Sequence, residues 1–127
     1  MTTPTQALLR RAREVLEGTV HVPEGLAVRS AAFLARQAIE GMVTTSCQAL
    51  GVSIGRAHMR SKIIVISALS GDEMGARADL AWAALCQACH HHAYELTPTA
   101  DAIARWIGQI EAILLEVAGF PVADYGS

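Results

Sequence analysis

A chain of 127 residues with 52% hydrophobic side chains has the length of one domain and the apolar content to fill one core. A formal charge of −2 and a pI near 6.2 exclude the global basic field behind strong non-specific nucleic-acid binding, although a local basic patch stays open. No apolar run reaches the length of a membrane span, and the opening "MTTPTQALLRR" lacks the basic-then-apolar order of an export signal. A cytoplasmic chain with no membrane segment is therefore expected, its three cysteines held as thiols.

The first element predicted is an amphipathic helix in "TPTQALLRRAREVLEG". Thr3 is its N-cap, Pro4 its first residue and Gln6 the capping-box partner, and Gly18 closes it. Leu8, Ala12, Val15 and Leu16 are expected on its inner face, and Thr19 to Gly25 read as a connector. Leu26 to Leu50 contain no proline. Ala31, Leu34, Ala35, Ala38, Ile39 and Met42 trace a helical stripe there, so a long central helix is expected to stop at Gly51.

Gly51 to Arg56 read as a glycine-punctuated loop. The segment Met59 to Leu69 fits two periods. Ile63 to Ile66 form a β-branched run that suits a buried strand, whereas Met59, Ile63, Ile66 and Leu69 match a helical face. Helix is favoured, because a lone strand finds no partner elsewhere in the chain. Ser70 with Glu73 then spells a capping box, opening a helix predicted to run to about Tyr94. "TPT" breaks it, and Thr97 or Thr99 caps a last helix with Ile103, Trp106, Ile107, Ile110, Ile113, Leu114 and Val117 at three-and-four spacing, ended by Gly119 and Pro121. The fold class predicted is all-α, a bundle of four to five helices forming one domain over residues 1–127, with an ordered core from about 4 to 118.

The densest polar chemistry is "CQACHHHAYELTPT", residues 86–99. Cys86, Cys89 and His90 have the C-x-x-C-H spacing of covalent haem attachment, which normally follows export. The same residues at i, i+3 and i+4 of one helix also suit zinc, but a structural site takes ligands from two elements, and Cys47, His21 and His58 stand in no paired motif. The third reading is structural. With the phase set by Ala78, Ala81, Trp82 and Leu85, Cys89 and His92 turn inward, Cys86 and His90 sit at the edge of the stripe, and His91 faces away. Small buried thiols and histidines that complement a helix C-terminus then account for the cluster. No metal, haem or other cofactor is expected.

"HHAYELTPTADAIARWIGQIEAIL" resembles the closing segment of HEPN domains, small helical bundles of prokaryotic toxin, defence and RNA-processing systems, in which a histidine followed closely by a tyrosine ends the penultimate helix. "SAAFLARQAIEGMV", Ser30 to Val43, resembles the family's early helix around Ala35, Ala38, Ile39 and Glu40. The resemblance implies a homodimer in which His92 is the catalytic histidine with Tyr94 beside it, and His91 and His90 are alternative registers. The family's motif is an arginine, a spacer of four to six residues and then the histidine. Counting back from His92 meets Gln87, Cys86 and Leu85, none of them basic, and the nearest upstream arginine is Arg77.

With that arginine missing, the resemblance implies a catalytically degenerate binding or accessory component of a prokaryotic defence or toxin–antitoxin type system. Its partner would be RNA, a nucleotide or a protein, and the alanine and aliphatic faces of the last two helices would form the dimer interface. Two alternatives stand beside it. One is a weak metal-independent ribonuclease using His90, His91 or His92 with Tyr94; the other is a structural subunit of a larger complex.

Overall fold

The computed structural model describes residues 3–23, 25–49, 58–90 and 98–119. They form five helices and no strand: α1 (Pro4–Glu17), α2 (Ala27–Ala49), α3 (Met59–Ser70), α4 (Asp72–Cys89) and α5 (Ala100–Gly119). The all-α bundle is as expected, and Met59 onward is helix. Among the described residues no helix is long and apolar enough to cross a membrane.

Local chemistry sets the first boundaries. The Thr3 backbone N–H donates to Gln6 Oε1 at 2.8 Å, and the Gln6 N–H donates to Thr3 Oγ1 at 3.1 Å, which completes the capping box. Gly18, at φ 81°, closes α1 in the left-handed region where glycine pays no Cβ penalty. The inner face is centred differently from the expectation. Thr5, Leu9, Ala12 and Val15 are buried, while Leu8 and Leu16 flank them. The docking angle on α2 selects that centre, with Thr5 opposite Gly41, where an added Cβ would lie 3.9 Å from the threonine oxygen.

α2 packs against all four other helices. Its buried face is mostly small: Ala31, Ala32, Ala35 and Ala38 surround Ile39, Met42 and Val43. Alanine at these positions lets neighbouring backbones approach, and Ala12 of α1 and Ala78 and Ala81 of α4 answer it from the other side. Ile63 and Ile66 bring α3 into the same core, and Ile103, Ile107, Ile110 and Ile113 bring in α5. Bidentate pairing of Arg13 with Glu111 ties α1 to α5, and Arg77 pairs with Glu116 to tie α4 to α5.

Two boundaries of α4 differ from the sequence reading. The Ser70–Glu73 capping box does not form, because Ser70 is the last residue of α3 and the N-cap of α4 is Gly71, which makes no side-chain cap bond. One residue at φ 108° turns the chain between the two helices, a conformation that suits glycine. At the other end α4 stops at Cys89, well before Tyr94. His90 is the C-cap in extended conformation (φ −79°, ψ 133°), its N–H shared between the carbonyls of Cys86 and Gln87. The packed stripe ends with Ala88 and Cys89, and histidine is a weaker helix former than the alanines before it. Of the two threonines expected to start α5, Thr99 caps it, accepting from the Ala102 N–H at 3.1 Å.

Cys47 is buried between α2 and α3 and donates to the Lys62 carbonyl at 3.6 Å. Burial pushes its thiol above the ordinary range, against a smaller opposing pull from Lys62. Below the unfolded thiol pKa both states hold the proton and the fold keeps its full contribution. As pH rises past about 8.5 the unfolded chain sheds a proton that the folded chain retains, so stability falls. We expect the urea midpoint to decline through this window and the decline to be shallower in Cys47→Ala. Equal slopes in the two proteins would show that this thiol is not the cause.

Candidate binding edge at the end of the fourth helix

The residues singled out in the sequence meet the structure unevenly. His90 is exposed at the end of α4, Cys89 beside it is half-buried, and so is Cys86 one turn earlier. The expectations for His91, His92 and Tyr94, including the inward turn of His92, fall on residues outside those described. Cys89 does turn toward the core, packing against its edge.

What the fold sets against this helix end is a stripe on α2. Arg29, Phe33, Arg36 and Glu40 follow one another at spacings of four, three and four, which puts all four on one side of the helix. The Arg36 guanidinium carbon lies 5.5 Å from the centroid of the Phe33 ring, and its Nε is 3.8 Å from Glu40 Oε1. The same guanidinium places positive charge near Cys86 and, with Arg29, near Cys89. Phe33 remains 46% exposed.

Burial pushes both the Cys86 and the Cys89 thiols up. Arg36 opposes it at each, Glu40 adds to it, and for Cys89 Arg29 opposes it as well. Both sulfurs are thus held as thiols at neutral pH. Among the described residues no three His, Cys, Asp or Glu side chains come close enough together to hold a metal ion.

Between α1, the connector and the start of α2 lies an open groove of about 530 Å³. Val15, Val20, Leu26 and Phe33 give it an apolar lining. Arg11 and Arg29 contribute two guanidinium groups, and Cys89 brings the end of α4, and so the start of the histidine run, to its wall. A second groove, between α1 and α5, is of similar size at about 600 Å³, but its Arg13 is committed to Glu111.

The motif search along α4 missed these arginines, because they stand on another helix far earlier in the chain. A signal was nevertheless present: two arginines, an aromatic and a glutamate at helical spacing, with Phe33 off the alanine stripe that marks the buried face of α2. No protein-family model matches the chain, and comparisons with the curated proteins and with the solved structures find no match either.

Proposed function

We propose that this chain is a HEPN-like helical domain acting as a binding component, and that its ligand is single-stranded RNA or a nucleotide. One observation carries the reading: an exposed aromatic, Phe33, lies in a groove with Arg11 and Arg29 and with the end of the helix that leads into the histidines. An aromatic face stacks on a base, and guanidinium groups pair with phosphate oxygens, so the two together form a small platform for an unpaired nucleotide. The negative net charge fits a local contact of this kind and opposes sequence-independent coating of nucleic acid.

The test is fluorescence anisotropy with labelled single-stranded RNA and with nucleotides across a salt series. The wild type should bind saturably. An Arg11→Glu/Arg29→Glu double variant should bind at least ~10-fold more weakly with a flatter salt dependence, and Phe33→Ala should lose about 1–3 kcal/mol. Wild-type protein that binds none of these ligands, or variants that bind equally well, would move the reading to a structural subunit.

The same stripe also favours a second reading. A ribonuclease whose own motif lacks its arginine gains a phosphate-steadying group if α2 supplies it, with His92 and Tyr94 as the acid–base pair. Cleavage by the wild type that vanishes in His92→Ala and falls in Tyr94→Phe would establish it. Both readings carry a homodimer with them, to be read as a doubled mass in light scattering. On the two helices expected to form the interface, Ala78, Ala81 and Ala88 of α4 and the isoleucines of α5 are buried within the single chain, whereas Leu80 of α4 and Leu115 of α5 are exposed and available to a second copy.

A further inference from the structure

Cys86 and Cys89 stand one helical turn apart in the last turn of α4. Helix geometry places Cα atoms three residues apart at about 5 Å, inside the roughly 4.4–6.8 Å that a disulfide spans. The helix ends at Cys89 and His90 is already extended, so the small backbone adjustment that a bond across this turn requires falls at a helix terminus and not in its middle. Cys89 lines an open groove, which gives a small reagent a path to the pair. The guanidinium of Arg36 places positive charge near both sulfurs.

We infer that Cys86 and Cys89 form a redox-modifiable dithiol that hydroperoxides convert to a disulfide, with Cys86 attacking first and Cys89 resolving. The Cys86 thiolate attacks one peroxide oxygen, the O–O bond breaks, and the other oxygen leaves as an alcohol or as water, giving a sulfenic acid. The Cys89 sulfur then attacks that sulfur. The S–S bond forms as the S–O bond breaks, and hydroxide departs with the Cys89 proton as water. Two thiols and one hydroperoxide thus yield one disulfide, one alcohol and one water.

The order follows from charge: Arg36 favours a thiolate at either sulfur, and the charge of Cys86 in turn opposes ionisation of Cys89. Burial acts the other way on both sulfurs, so oxidation is slow at neutral pH and accelerates as pH rises. Cys47 stands apart from the pair on α2, 2% exposed, and serves as an internal reference.

The experiment uses the full chain and hydrogen peroxide, followed by unfolding, maleimide labelling and intact-mass measurement. Reduced protein should take three labels, one per cysteine, and oxidised protein one, carried by Cys47, with peptide mapping placing the bond between residues 86 and 89. Cys89→Ser should accumulate a sulfenic acid at Cys86 that dimedone traps, and Cys86→Ser should not accumulate its counterpart at Cys89. Arg36→Gln should slow oxidation at pH ~7.5, with the difference shrinking as pH rises and both thiols ionise. Circular dichroism on that variant separates loss of fold from loss of the thiolate's partner. Three labels retained after peroxide, a bond to Cys47, or a bond only between two chains would overturn the inference.

Discussion

Ile39→Ala is expected to lower the unfolding free energy by about 3–4 kcal/mol, among the largest effects of any single truncation in this chain. Ile39 has no exposed surface and sits on the helix that touches all the others. Removing its branched side chain takes away the transfer free energy of the lost carbons and leaves a cavity, and the two together cost about 2–5 kcal/mol for Ile→Ala in a well-packed core. The middle of that range is expected because Ile39 is fully buried in a core to which all five helices contribute. Leu115→Ala is the control. That side chain is 74% exposed, and its loss should cost under about 0.5 kcal/mol. Urea melts of the two variants check the pair, and comparable losses would show that the core does not sit where α2 crosses its neighbours.

Gly75→Ala is expected to destabilise by about 1–3 kcal/mol although it replaces glycine by a better helix former. In an exposed helix this change gains about 1 kcal/mol. Here an added Cβ would come within 2.7 Å of Ser67 Cβ and 3.0 Å of Ser67 Cα across the α3–α4 contact. The serine hydroxyl can rotate away, but Cβ and Cα cannot move without parting two helices that only Gly71 joins, so overpacking outweighs propensity. The paired variant Ser67→Gly/Gly75→Ala should recover part of the loss, since it removes the Cβ while leaving the backbone contact. A lower urea midpoint for Gly75→Ala with partial recovery in the pair is the expected result. A single variant more stable than wild type would mean that α3 and α4 do not approach this closely.

The sequence by itself determined the features that depend on residues three or four apart. The Thr3–Gln6 capping box, the Gly18 stop and the Ile103–Ile107–Ile110–Ile113 stripe are all written locally, because a cap or an amphipathic face needs only neighbours within one or two turns, whereas the choice of Thr99 over Thr97 as the cap of α5 came from the structure. Helix for Met59–Ser70 was legible from the absence of a partner strand more than from its own β-branched run.

Tertiary structure decided the rest, and it did so where two local signals competed or where the partners lie far apart in the chain. Ser70 had the side chain to cap α4, yet it continues α3, so that Gly71 alone makes the turn and Gly75 meets Ser67. The centre of the buried face of α1 went to Leu9 and Thr5, since the stripe is wide enough to admit several rotations and only contact with α2 selects among them. Periodicity through the histidines pointed to a helix reaching Tyr94, but a helix persists only while its face has something to pack on, and α4 ends at Cys89. The guanidinium groups beside Cys86 and Cys89 come from α2. No pattern within residues 86–99 could announce them, because only the packing of α2 on α4 brings Arg29 and Arg36 to that helix end.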